Sequence, residues 1–401
     1  MKSVDDSSAS SGETLAGSDP TPAAVRESEA SSSAAELSSS KPTKKQQSMS
    51  LPPLTVKSVI RGPSSAVIDE EEIRVLSMLP HEFVGEVDLP EHLEPLLNKA
   101  EQRFVLYPIQ YPEIWDMYKS AESTFWITEQ IQLEQDDIQW NNHLNDGERS
   151  FVSRIIIFFL VLHGIHIPNL LKRLSIEIHI AEARCFYGFE SVIENVHSEV
   201  YCVLINTFIK NSKDRELLFD TVEDIPPLQE NTQWALQWIS DDHSTFAICL
   251  VIFATMKTIA CSASFAILIW LRKRQLLPAL NASNELVRRD LQLHARFACL
   301  LFHHLRRRPH PLIIKEIIHE AVQIQHRLLC DAIPLSLIGI NPDSMKEYIR
   351  FIADDLLLSL GNNKLYDAVN PFKSIPLSLH PKPLGVHHKE ILPSSLPIQI
   401  T

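Results

Sequence analysis

Glycine is scarce, with 10 residues in 401. Tight-turn dipeptides are few and strand-like alternation is missing, which argues against an all-β fold. Paired cysteines are missing too. The six cysteines (185, 202, 249, 261, 299 and 330) are dispersed, with no CxxC. That argues against a zinc or disulfide scaffold and fits small core side chains in a reducing, cytoplasmic compartment. Positive charge is in deficit: 37 Lys and Arg stand against 50 Asp and Glu, a net charge of -13. Non-specific binding to nucleic acid or to an anionic membrane is not expected. The first 50 residues have almost no large apolar side chains and no apolar signal region. A Ser-rich, disordered tail is expected over 1–88.

The remaining chain is rich in helical periodicity. Apolar and aromatic positions recur at helical spacing over 91–126, interrupted by Pro108 and Pro112. A helix is expected from about Asn145, with Asp146 as a cap and Pro168 as an interruption. Residues 174–211 predict one long helix or two consecutive ones, and a further helix follows Pro226 and Pro227. Helices are also expected over 283–305 (capped by Ser283 or Asn284), 311–332 and 343–360, the last opened by Asp343 and closed by Gly361. After Phe372 the pattern breaks into a Pro-rich tail, 373–401. The expected fold is all-α, with one helical domain over 89–372.

Residues 246–271 form the most apolar stretch and carry one charge, Lys257, at the centre. The length meets the transmembrane criterion. A lysine at the bilayer midplane costs about 3 kcal/mol on insertion scales, however, and no second span exists. A helix buried all round in a large bundle is the reading preferred here, with no membrane partner.

Glu194 and His197 in "ENVHSEVY" (194–201) lie three residues apart, on one helix face, with Tyr201 a turn further on. Glu-x-x-His alone is a weak signal, since Glu316 and His319 match it too and read as a solvated face. The signal sharpens when two such helices face each other. Ferritin-like bundles hold two metal ions in this way, with two further carboxylates. The second motif should be "RRDLQLH" (288–294), where His294 is present but Leu291 stands in the carboxylate position.

Four stretches make the chain resemble the small subunit of class I ribonucleotide reductase, in its eukaryotic form. They are "RFVLYPIQYPEIWDMYKSAESTFW" (103–126), "EARCFYGFESVIENVHSEVY" (182–201), "SFAILIWLRKRQLLPALNASNEL" (264–286) and "YIRFIADDLLLSLGNNKLYDAVNPF" (348–372). The resemblance implies a dimeric ferritin-like bundle. Its di-iron centre oxidises a tyrosine to a radical, which serves a separate large subunit in making deoxyribonucleotides. It further implies metal ligands at Glu194, His197 and His294, the radical position at Tyr201, and relay positions at Trp115 and Asp290. Three ligand positions carry other residues: Gln132, Lys257 and Leu291.

A carboxylate-poor site with an ammonium in it should not assemble two iron ions. No cofactor is expected; a single, weakly held metal on Glu194 and the histidines is the outside alternative. Lys257 is expected to pair with Glu194, the alternative being that it snorkels to solvent. The expected function is that of a catalytically degenerate family member. It would form a homodimer, or a heterodimer with an active small subunit that it helps. The alternatives are an active small subunit and an inert, pseudogene-like product. Contact with the large subunit is in doubt, because the chain ends "LPIQIT" where the family carries an acidic docking peptide.

Overall fold

The computed structural model describes residues 93–163, 167–223, 226–239, 244–261, 270–332, 335 and 339–372. The tails expected over 1–88 and 373–401 lie outside them.

Among the described residues the architecture is all-α, with no strand. In chain order the helices are α1 (Pro112–Ser123), α2 (Glu134–Asn142), α3 (Asp146–Val161), α4 (Ile167–Glu177), α5 (Ala181–Phe208) and α6 (Ser212–Glu223). They continue with α7 (Pro226–Ile239), α8 (Phe246–Thr255), α9 (Pro278–His304), α10 (Pro311–His326) and α11 (Pro342–Ser359). Single π-helical stretches, Met256–Ala260 and Arg327–Ala332, extend α8 and α10. The core is built by α8 against α9, α1 and α3 against α5, and α10 against α11.

Several helix ends differ from expectation. Asn145, not Asp146, caps α3: its side chain accepts from Glu148 N at 2.9 Å, and Glu148 Oε2 accepts from Asn145 N at 3.0 Å. This reciprocal box satisfies two otherwise unpaired donors. The stretch 174–211 takes the second of its two expected forms, consecutive helices: the end of α4 and the whole of α5, with a break at 178–180. Asn341, not Asp343, caps α11, accepting from Asp343 N at 2.9 Å, while Gly361 closes it at φ +75°.

The start of α9 differs most. It begins at Pro278, five residues before the expected cap, after Leu277 at φ 49°. Its cap comes from another helix. Buried Asp136 on α2 accepts from Ala279 N at 3.0 Å and Leu280 N at 2.8 Å. Gln139 Oε1 also accepts from Leu277 N, at 2.7 Å. A carboxylate there suits the positive end of the helix dipole. Replacing Asp136 with Ala is expected to cost about 0.5–2 kcal/mol, the range for lost caps, read as a lower urea midpoint. An unchanged midpoint would show that α9 does not depend on this cap.

All ten residues of α8 are buried. No helix among the described residues is long and apolar enough to cross a membrane.

Candidate functional site

Helix α5 carries Glu190, Glu194, His197 and Tyr201 along one buried stripe. Their i, i+4, i+7, i+11 spacing keeps them on one face. Helix α9 brings Asn284, Asp290 and His294 to the same region, and Leu291 beside them is an apolar core residue, 2% exposed. Lys257 enters from the π-helical end of α8, and His163 follows the end of α3.

Lys257 Nζ sits among anions. It donates to Glu194 Oε1 in a short contact, and it lies 3.1 Å from Glu190 Oε1 and 3.3 Å from His294 Nδ1. Its side chain is fully buried, so it does not snorkel. The face of Phe253 lies 4.9 Å from the ammonium. His294 Nδ1 is 3.0 Å from Glu190 Oε1 and 3.3 Å from Glu194 Oε1. The other Glu194 oxygen accepts from His163 Nδ1 at 2.8 Å.

On the far side of Glu194, His197 Nδ1 is 3.6 Å from Oε1. Its Nε2 is 3.1 Å from Asp290 Oδ2, which also accepts from Trp126 Nε1 at 2.7 Å. Arg289 lies 3.1 Å from the remaining Asp290 oxygen. Trp126, Asp290 and His197 thus form a continuous hydrogen-bonded row.

Titration follows from these contacts. Burial pushes the Glu194 carboxyl up, but Lys257 and the two histidines outweigh it and hold Glu194 well below the usual range. Burial pushes Lys257 down, and Glu194 and Glu190 reverse this, so the ammonium is retained. His197 is opposed by burial but raised to about 9 by Glu194 and Asp290. His163 is pushed down to about 4 by burial, despite Glu194. One histidine is therefore an imidazolium near neutral pH and its neighbour is neutral.

The sequence expectations divide. Glu194, His197, His294 and Lys257 are brought together. Tyr201 lies next to them: its phenol donates to Asn284 Oδ1 at 2.9 Å, and its ring stacks on His163 and Phe159. Gln132 is not part of the site; it is exposed on the segment before α2. The α3 end supplies His163 instead. Trp115 does not reach Asp290 either. It is half-buried against Tyr107 and Tyr118, and Trp126 takes the Asp290 contact. The Glu316–His319 pair lies outside the site, with His319 exposed and bonded to Tyr366.

Two residues were missed, His163 and Glu190. Glu190 was legible as a carboxylate one turn before Glu194. His163 was hidden because the first ligand position was assigned to Gln132, ahead of α2, and α3 was not searched for a ligand.

Two sets of donors converge closely enough for a metal ion: His163, Glu194 and His197, and Glu190, Glu194 and His294. A helical bundle with facing carboxylate and histidine side chains in its core defines the ferritin-like class of protein. A family model described as "Ribonucleotide reductase, small chain" matches residues 103–371. The ribonucleoside-diphosphate reductase small chain of Neurospora crassa is 52% identical over 279 residues, 70% of this chain and 68% of that one. Small chain 1 of Saccharomyces cerevisiae is 48% identical over 282 residues, 70% of this chain and 71% of that one. Among solved structures, the Rnr4 homodimer of Saccharomyces cerevisiae superposes with a TM-score of 0.64 at 35% identity, covering 71% of this chain and 90% of that one. The chain belongs to the ribonucleotide reductase small-chain family.

Proposed function

We propose that this chain does not assemble the family's two-metal centre by itself and serves deoxyribonucleotide synthesis as a structural partner of an intact small chain. The observation that carries this reading is Lys257 Nζ, in ion-pair contact with both Glu194 and Glu190.

Two adjacent dications need several carboxylates for charge balance and bridging. Among the described residues, Glu190 and Glu194 are the only carboxylates in the two donor sets, and both already face the ammonium. Leu291 offers no donor. A buried cation beside the metal position repels a dication strongly in a medium that screens little. The residues do not fit a di-iron centre. Tyr201 is held as a neutral phenol, since burial raises its pKa well above the ordinary value. Its bond to Asn284 gives it a structural role.

A second reading has a specific observation in its favour. His163, Glu194 and His197 form a buried two-histidine, one-carboxylate set, a donor combination that holds single divalent metals elsewhere. A lone ion bound there would leave the partner role unchanged.

The Rnr4 structure is of a homodimer, which supports a homodimer or a heterodimer with an intact small chain here. The reading that this chain lacks the family's docking peptide for the large subunit rests on the C-terminal residues, outside the described ones. Family membership and the dispersed cysteines support a cytoplasmic location.

The test is reconstitution of the purified chain with ferrous iron and oxygen. Elemental analysis and electron paramagnetic resonance should then show no di-iron stoichiometry and no tyrosyl signal. A stoichiometric tyrosyl radical would overturn the proposal. Co-expression with an intact small chain should yield a stable mixed dimer; exclusive homodimers of each would remove the helper role.

A further inference from the structure

Glu190 changes what Lys257 does. One carboxylate would suffice to pair an ammonium, but two are present, with a histidine as third neighbour. Glu190, Glu194 and His294 are each 2% exposed or less. His294 Nδ1 stands 3.0 Å from Glu190 Oε1 and 3.3 Å from Glu194 Oε1. Donors that share one metal at about 2.0–2.2 Å are themselves separated by roughly 3 Å, the edge of the coordination polyhedron. His294 therefore already stands at ligand spacing from both carboxylates, and the three donor atoms all lie within 4.8 Å of one another. Lys257 Nζ lies against all of them. Glu190 Oε2 has no hydrogen-bond partner, so the cage keeps an unused acceptor.

We propose that Lys257 Nζ and a divalent cation are mutually exclusive occupants of the Glu190–Glu194–His294 cage, so that the chain carries a latent one-metal site held shut by its own ammonium. Lys257 can have this role only in a chain that lacks a working two-metal centre, as proposed above. The cage is distinct from the His163–Glu194–His197 set, sharing only Glu194 with it. Its ligand class is a single borderline divalent ion such as Co(II) or Zn(II), which accepts mixed carboxylate and imidazole donors. An apolar residue at 257 would remove the cation between the two carboxylates, and a dication would replace it.

The experiment compares the native chain with Lys257→Ala, both stripped with a chelator and dialysed, then titrated with Co(II). Bound metal is read by elemental analysis and visible absorption, and Tm is measured with and without the ion. Lys257→Ala should gain one Co(II) per chain over the native protein, and its Tm should rise by several degrees when the ion is added. Adding Glu190→Gln to Lys257→Ala should weaken the gained site at least about tenfold, within the range for altered metal shells. The Glu190 change distinguishes this cage from any ion held by His163 and His197.

Equal Co(II) uptake by native chain and variant would overturn the proposal, as would a folded variant that gains none. If Lys257→Ala does not fold without metal, its refolding by Co(II) is the supporting result. If it does not fold with Co(II) either, Lys257→Met, which keeps the side-chain volume, is titrated in the same way. Absence of a gained ion in Lys257→Met, folded or not, overturns the proposal. A tyrosyl radical in the native chain would sink the functional reading. A variant that gains no metal sinks only the latent site.

Discussion

Replacing Lys257 with Ala is expected to destabilise the metal-free protein by about 3–5 kcal/mol, the usual cost of removing one partner of a buried ion pair. The reason lies less in the lost attraction than in what remains. Glu190 and Glu194 are almost fully buried; without the ammonium Glu190 would lose its ion-pair partner beside a second carboxylate, and Glu194 would keep only its histidine contacts, His163, His197 and His294. An unpaired buried charge is costlier than a missing bond. For a domain of this size such a loss lowers Tm by roughly 5–9 °C. Thermal unfolding in the presence of a chelator measures it. The same chelator should leave the native chain unchanged, since Lys257 and not a metal balances the carboxylates. A chelator-induced fall in the native Tm, or a Lys257→Ala variant as stable as the native chain, would contradict this account. The exposed pair Lys119–Glu122 offers a control, because exposed ion pairs contribute little.

Stability is expected to peak near pH 6.5, falling on both sides for opposite reasons. His163 has a depressed pKa of about 4 in the fold. Its contribution is present above the unfolded value of about 6.5 and is lost as pH falls through 6.5 toward 4. His197 has a raised pKa of about 9. Its contribution is complete below about 6.5 and is lost as pH rises through 9. Each limb is worth roughly 3 kcal/mol at full extent, from the distance between folded and unfolded values. Urea unfolding across pH 4 to 9 would trace the curve. His163→Gln keeps a donor for Glu194 and cannot titrate, so it should flatten the acid limb and leave the alkaline one. A flat profile in the native chain, or an acid limb that survives in His163→Gln, would exclude His163 as its source.

The helical class was legible because helical periodicity runs through long stretches and strand alternation does not. The Glu194–His197–Tyr201 stripe was legible for the same reason: spacing on one helix fixes a shared face. What spacing cannot give is which residue of another helix arrives at that face. Gln132 was placed by counting along the chain from Trp126, yet the segment before α2 runs outside the core, and α3 delivers His163 instead. Trp115 and Trp126 lie eleven positions apart on either side of the end of α1, and only the turn after that helix points one of them at Asp290. The α9 cap was invisible because Asp136 is 143 residues from Ala279. Local signals named Ser283 and Asn284, which lie inside the helix; Asn284 instead receives the Tyr201 phenol. The pairing of Lys257 with Glu194 followed from the resemblance, which puts both positions in one pocket, and from charge, since a buried ammonium needs an anion. The doubling of that anion by Glu190 was not weighed, although it sits one turn away.

Helix α8 has a consequence for how the bundle finds a single arrangement. Its ten residues are buried on every side, so no polar stripe tells the helix which way to face. Apolar contacts alone would tolerate several rotations at similar cost. One residue of rotation swings a side chain by about 100°, and one turn of sliding moves it about 5.4 Å. Either would carry Lys257 away from Glu190 and Glu194 and break both of its buried ion pairs. The ammonium therefore acts as a key that sets the azimuth and depth of an otherwise featureless rod. Removing it should cost uniqueness as well as stability, with α8 sampling several docked positions.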